Sequence, residues 1–290
     1  MLLFHFDQIK ISFMDCRIFD GRRFATEKEE ELKKKVVLLR KKGIIPKLVS
    51  IIVGEDPASI LYVNLKKKKG EKLGIEVEIK SYSEEIGVAD IVCEIKKANM
   101  DKSIHGIMVQ LPLPGGFSDK DRDEIIDSID RKKDVDGLRN DSLYLTPTVK
   151  AVLQVIKEAT PDIVKLKSRD LPCAYQVVVV GYRGFEGSKI YRILREMGYD
   201  VLGIDRKDKN LKVKTLKADI LISVTGSPGI IGEEEVKYGA VVIDVGSPKG
   251  DVKVEEVIDK AIFVSPVPGG IGPVTVSSLM ENLIESASDL

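Results

Sequence analysis

The segment Ser59–Gly70, SILYVNLKKKKG, sets four consecutive lysines, Lys66 to Lys69, behind a short apolar stretch. A lysine moves protons near neutral pH only where its surroundings lower its pKa. On its own the run reads as a solvated helix face, because charge runs usually keep a surface wet. A second constellation is QVVVVGYRGFEGSK, in which Gly181, Gly184 and Gly187 follow four valines and open a helix. The spacing is G-x-x-G-x-x-G rather than the usual G-x-G-x-x-G. After a strand and before a helix, such glycines let backbone N–H groups meet a pyrophosphate. Asp205 stands 24 positions after Gly181, at the end of the next strand, where an acid can bind a ribose diol.

These groups need elements to hold them. Thr26–Lys42 has the pattern of a charged amphipathic helix, with Leu32, Val36, Leu38 and Leu39 as apolar positions. Lys47–Val53 is an apolar strand. Asp56 then caps a helix with Pro57 in its first turn, and that helix carries the lysine run to about Gly74. Ile75–Lys80 and Ile104–Gln110 are further strands, the latter stopped by LPLPGG. A helix over Val149–Glu158 and a polar loop over Lys165–Leu171 precede a second series. Its strands are Gln176–Val180, Asp200–Ile204, Asp219–Val224, Ala240–Val245 and Ala261–Val264, with helices over Ser188–Met197 and Thr275–Ser286. Near-continuous apolar strands indicate parallel sheets covered on both faces.

The chain has 290 residues, enough for one large domain or two medium ones. Its 46 basic and 46 acidic residues balance, which argues against a nucleic-acid binder. Cys16, Cys93 and Cys173 lie far apart and read as small buried hydrophobes of a reducing compartment. With only His5 and His105, a histidine-rich metal site is not expected. No apolar run is long enough to span a bilayer, and the first residues lack the features of a signal peptide, so the expected location is cytoplasmic. The 32% content of charged residues and the absence of Trp would suit a thermophile.

Four stretches in order, VGEDPASILYVNLK (Val53–Lys66), GIMVQLPLP (Gly106–Pro114), KDVDGL (Lys133–Leu138) and PVPGGIGPVTVSSLMEN (Pro266–Asn282), carry a family resemblance. Together they resemble the bifunctional methylenetetrahydrofolate dehydrogenase/methenyltetrahydrofolate cyclohydrolase family, the FolD proteins. The likeness runs from about Asp15 to the C-terminus, so Met14 is a candidate start and residues 1–13 a candidate extension. It implies an α/β fold: an N-terminal α/β catalytic domain over 1–147, completed by a returning C-terminal helix over 268–290, and a Rossmann dinucleotide-binding domain over 148–267. It also implies a cleft between the two, a homodimer, and tetrahydrofolate substrates.

The implied reactions are oxidation of 5,10-methylenetetrahydrofolate with NADP, then hydrolysis of the methenyl product to 10-formyltetrahydrofolate. The first step needs two rings held in register; the second moves protons and needs a group poised near neutral pH. By resemblance, Lys66 is the proton shuttle, Gln110 holds it, and Tyr62 orients the folate. Tyr62 and Lys66 stand four apart and share a helix face, while Lys67, Lys68 and Lys69 rotate toward solvent. Asp136 looks like the pterin anchor, a carboxylate accepting two N–H bonds, and Asp134 a turn residue. Pro268, Gly269 and Gly270 belong to the folate-side loop, whose glycines permit close backbone approach to the ligand. Gly181, Arg183, Gly184, Gly187, Asp205, Arg206 and Thr225 are the expected dinucleotide contacts. The family turn usually reads GRS, and here Arg183 stands one position on. Asp205 opposes a 2′-phosphate, and Arg206 and Lys207 attract it, so NADP use with some acceptance of NAD is expected. The family's PCTP is replaced by LTPT, and no role is carried over there. Two other readings, a dehydrogenase without cyclohydrolase activity and a non-catalytic Rossmann binding protein, fit the retained Tyr62, Lys66, Gln110 and Asp136 less well.

Overall fold

A computed structural model describes residues 15–167 and 175–289. Strand β1 (Arg17–Ile18) leads into helix α1 (Gly21–Lys41), strand β2 (Lys47–Val53), helix α2 (Pro57–Leu73), strand β3 (Glu76–Tyr82), helix α3 (Val88–Met100), strand β4 (Gly106–Val109) and helix α4 (Asp119–Asp127). Helix α5 (Pro147–Lys167) then reaches strand β5 (Gln176–Val180), helix α6 (Phe185–Glu196), strand β6 (Asp200–Ile204), helix α7 (Leu211–Thr215) and strand β7 (Ile220–Ser223). Strand β8 (Val241–Asp244), helix α8 (Val254–Val257), strand β9 (Phe263–Ser265) and helix α9 (Ile271–Asp289) complete the order.

Two parallel sheets result. One has the order β3-β2-β4 and the other β1-β9-β8-β7-β5-β6. Both are built as the apolar runs require: every residue of β4 and β7 is buried, as are Val177–Val180 of β5. Each sheet reverses direction beside its first long strand, β2 between β3 and β4, and β5 between β6 and β7. In open α/β sheets such reversals leave a crevice at the carboxyl ends of the strands, where ligands bind.

Helix α9 packs on α1 and α5 and also touches α2, β2 and β4. Leu279, Met280, Leu283 and Ile284 bury against Leu32, Val36, Leu48 and Met108. Its polar residues are equally committed. Asn282 donates to the carbonyls of Val135 and Leu145 at 2.8 and 3.0 Å, and Ser286 donates to those of His105 and Lys132 at 2.6 and 3.0 Å. Lys150 of α5 and Lys28 of α1 both pair with Glu281.

Several boundaries depart from the sequence reading. Helix α1 starts five residues before Thr26, because Asp20 accepts from Arg22 N and Arg23 N and caps it there. Helices α3 and α4 were not anticipated, although Ile91, Ile95 and Ala98 mark a buried stripe on α3. Helix α5 passes through Pro161 to Lys167, where a loop was expected from Lys165; positions 168–171 of that loop lie outside the described residues. Helix α6 begins at Phe185, three residues before Ser188. Strand β1, unforeseen, joins the edge of the six-stranded sheet beside β9. Cys93 is exposed rather than buried, and Cys16 is half-buried. Cys173, His5 and Met14 lie outside the described residues. Among the described residues no helix is long and apolar enough to cross a membrane.

Candidate active site and dinucleotide cradle

Helix α2 is fixed at both ends. Asp56 accepts the Ser59 N–H at 2.7 Å with Pro57 in the first turn, and Gly74 terminates the helix at φ 83°. Between them Val63, Gly70 and Leu73 form the inward stripe. Lys66 stands three after Val63 and four before Gly70, and Lys67 four after and three before, so both border that stripe and spacing alone does not separate them. Gly70 is needed there, since a Cβ would lie 2.6 Å from the Val77 side chain on β3.

Lys66 Nζ donates to Gln110 Oε1 at 3.1 Å and lies 3.8 Å from Met108 Sδ. Gln110 follows β4, and its Nε2 donates to Leu111 O at 2.6 Å, which fixes the amide with its oxygen toward the lysine. Burial holds the Lys66 ammonium below the usual lysine range, and the Asp136 carboxylate pulls it partly back. Of its neighbours, Lys68 is exposed. Lys69 departs from the solvent-facing expectation: it turns to α1 and pairs with Glu29 at 2.6 Å. Lys67 is half-buried.

The KDVDGL loop assigns each residue a separate task. Buried Lys133 donates to the carbonyls of Ala98, Asn99 and Asp101, closing the end of α3. Asp134 is fully buried and accepts the N–H groups of Leu138 and Arg139 at 3.2 and 3.0 Å. It is the turn residue expected, and burial pushes its carboxyl up to about 6. Val135 is core. Gly137 takes φ 63°, where a Cβ would meet Thr146 N and Tyr144 O at 2.7 Å. Asp136 is left facing a cleft of about 510 Å³ that also receives Lys66, Gln110, Pro112, Glu186 and Leu279.

Other predicted residues sit around this cleft rather than in its wall. The Tyr62 hydroxyl reaches the loop after β8 and hydrogen-bonds Ser247 Oγ at 2.8 Å. Pro268, Gly269 and Gly270 do not line the cleft. Their glycines serve the chain's own packing instead: Gly269 O accepts from Gly21 N at 2.9 Å, and a Cβ on Gly21 would strike Gly270 O at 1.9 Å. The sequence reading missed Thr148, Glu186 and Thr275, which do line it. The Thr146-Pro147 start of α5 was a usable signal, because Thr146 caps that helix through Val149 N at 3.2 Å.

The glycine turn is a separate site. Gly181 has φ 88°, and a Cβ on Gly187 would lie 2.2 Å from Gly181 O, so the strand and the helix start can approach this closely only without side chains. Gly184 precedes α6 and supplies no side-chain cap, which leaves amide donors of the first turn available. An anionic pyrophosphate fits that cradle. The surrounding side chains are locally engaged. Arg183 lies over the Tyr182 ring at 5.6 Å and donates to its hydroxyl. Asp205 accepts the Lys207 N–H at 3.0 Å, and Arg206 donates to Ser227 Oγ at 3.0 Å. Thr225 donates both N–H and Oγ1–H to buried Asp251, at 2.7 and 2.8 Å.

Residues 19–136 match the family description tetrahydrofolate dehydrogenase/cyclohydrolase, catalytic domain, and residues 147–290 match its NAD(P)-binding domain. The chain is 35% identical to a bifunctional protein FolD of Bacillus subtilis, across 94% of this chain and 98% of the relative. Among solved structures, FolD from Campylobacter jejuni superposes with a TM-score of 0.86 at 34% identity, covering 94% of this chain and 99% of that one. A Trypanosoma brucei methylenetetrahydrofolate dehydrogenase-cyclohydrolase, solved with NADP and an inhibitor, superposes with a TM-score of 0.85 at 29% identity, covering 94% and 98%.

Proposed function

Because the chain belongs to the tetrahydrofolate dehydrogenase/cyclohydrolase family, we propose that Lys66, Gln110 and Asp136 are the centre at which it oxidises 5,10-methylenetetrahydrofolate and hydrolyses the methenyl product. It is an enzyme of one-carbon metabolism with a catalytic and an NAD(P)-binding domain. The observation that carries the assignment is the 3.1 Å contact from Lys66 to Gln110 inside a cleft that Asp136 also faces.

Asp136 accepts two N–H groups of the pterin edge and so sets the ring's orientation. Tyr62, on α2 one turn before Lys66, bounds the folate from the side of the cleft mouth. A dinucleotide, when bound, supplies the hydride acceptor. Gly181, Gly184 and Gly187 with the first turn of α6 would hold its pyrophosphate, Asp205 and Arg206 its ribose end, and Thr225 the neighbouring strand end. Water then adds to the methenyl carbon. Lys66, with its pKa lowered by burial, accepts the water proton and returns it as the ring opens to 10-formyltetrahydrofolate. Gln110 keeps the ammonium pointed at the reacting carbon by accepting one of its hydrogens.

NADP is the preferred dinucleotide in this reading, with NAD accepted. Arg183, Arg206 and Lys207 surround a single Asp205, and three cations outweigh one carboxylate once they turn inward. The division into a folate domain (1–147 with 268–290) and a Rossmann domain (148–267) is supported by the two sheets, β1 being lent to the second. A homodimer is supported by Ile60, Leu61 and Leu65, exposed apolar residues on α2, and by β3 at an open sheet edge. Sedimentation of the purified protein checks the assembly. The reaction is tested by a spectrophotometric assay with methylenetetrahydrofolate and each dinucleotide. Absence of reduced dinucleotide with both would overturn the reading.

A further inference from the structure

Three carboxylates line the cleft: Asp119, Asp136 and Glu186. Asp119 is 89% exposed and already paired with Arg122 at 2.6 Å. Asp136 is the anchor argued above. Glu186 comes from the other half of the molecule, in the first turn of α6, two residues after the Gly184 of the dinucleotide turn. None of the other polar groups assigned above to the reaction or to the pterin edge, Lys66, Gln110 and Asp136, lies in the second series of elements.

Its position is built rather than incidental. Thr146 Oγ1 donates to Glu186 Oε2 at 3.1 Å and so orients the carboxyl. One turn further along α6, Lys189 donates to the carbonyls of Gly137 and Leu138 at 2.8 and 2.9 Å. Those are the two residues that follow Asp136. Helix α6 and the Asp136 loop are thereby held as one unit, and the two carboxyl groups face the same cleft in a fixed relation. Burial raises the Glu186 carboxyl above the ordinary range and nearby Asp136 raises it further, while Lys189 and Thr146 oppose the shift. A carboxyl so crowded gains from a bound partner that brings N–H donors.

The geometry points to Glu186 as a second folate contact, accepting a pterin N–H that Asp136 leaves free. The chemistry of the ligand supports the count. A reduced pterin presents N3–H, two hydrogens on the 2-amino group and N8–H along neighbouring edges. One carboxylate bonds two of them, and a donor left buried without an acceptor costs affinity. The contact also gives the dinucleotide half of the protein a direct hold on the folate. This inference rests on the folate reading of the cleft.

The test compares Glu186→Val, which removes the acceptor, with Glu186→Gln, which keeps one oxygen and the same shape. Folate KM and kcat are measured in the dehydrogenase assay, dinucleotide Kd by fluorescence titration in the absence of folate, and Tm by calorimetry. Expected are a folate KM raised about tenfold in Glu186→Val, a kcat and dinucleotide Kd within about twofold of the parent, and recovery of most of the KM in Glu186→Gln. If the valine variant does not fold, Glu186→Ser, polar but too short to reach the ligand, takes its place. An unchanged folate KM overturns the inference, as does a dinucleotide Kd that moves as far as the folate KM, which would mark a structural role for α6. A parent without activity on methylenetetrahydrofolate overturns the functional reading instead.

Discussion

The folate cleft and the dinucleotide cradle are prepared to different degrees. In the cleft, the side chains proposed to act are already fixed: Lys66 is locked by Gln110, and Gln110 by Leu111 O. Asp136 projects because Asp134 and Gly137 fix the loop behind it. In the cradle, only the backbone is prepared. Its side chains satisfy one another, with Arg183 against Tyr182, Arg206 on Ser227 and Asp205 on Lys207 N. The difference follows from what each site must achieve. Proton transfer tolerates little misplacement, whereas a phosphate is held by many small contributions and can recruit exposed cations on arrival.

Removing the aimed lysine should therefore have the largest effect. Lys66→Met is expected to lower cyclohydrolase activity by roughly 10²- to 10⁴-fold, with circular dichroism and Tm unchanged, while Lys68→Met stays near the parent rate. Equal losses in the two variants would break the contrast between a directed side chain and a solvated one.

Next in size is Asp136→Asn, expected to raise folate KM on the order of 10- to 100-fold, as for loss of a charged hydrogen-bonding partner. It also carries a pH signature, read at saturating folate. In the proposed mechanism Lys66 works as a base in its neutral form, so cyclohydrolase kcat should climb with pH through the lysine's lowered pKa. Asp136 raises that pKa. Removing its charge should move the rising limb to lower pH; a limb that stays in place, or moves up, would separate Asp136 from Lys66 electrically.

A cradle made of backbone should fail through shape rather than charge. Gly187→Ala places a Cβ 2.2 Å from Gly181 O and forces the strand and helix apart. A cost of about 1–3 kcal/mol in stability is expected, with dinucleotide binding weakened more than folate binding. Denaturant melts and two titrations measure it. The smallest effects belong to the locally engaged side chains. Arg183→Ala should reduce the NADP-over-NAD ratio of kcat/KM, and Asp205→Ser should increase it, each by a factor of a few. A ratio indifferent to both would mean that discrimination resides in the backbone too.

The same contrast governs what could be read from the sequence. Strands β2 and β5, the cap at Asp56 and the stop at Gly74 are local events, set by apolar runs and turn chemistry, and they stand where expected. Lys66 was singled out by family likeness; its hydrogen bond to Gln110 across from α2 gives the physical distinction, yet KKKK itself carries no such mark. Long-range facts were not legible. The pairing of β1 with β9, the turn of Lys69 to Glu29, and the use of Gly269 and Gly270 against Gly21 all depend on which distant segment arrives as neighbour. Glu186 was hidden for the same reason: its partners Thr146 and Asp136 lie on elements that the sequence alone does not bring to α6.

Helix α9 has a consequence for the order in which the protein becomes active as it is made. The carbonyls of Val135 and Leu145, on either side of Asp136, receive their hydrogen bonds from Asn282, and those of His105 and Lys132 from Ser286. A nascent chain emerging N-terminus first can pair β2, β3 and β4 early, but the segments on either side of Asp136 gain these hydrogen bonds only when residues some 150 positions further along have been made. The proposed centre around Lys66 and Asp136 is therefore completed by the last helix of the chain to be made.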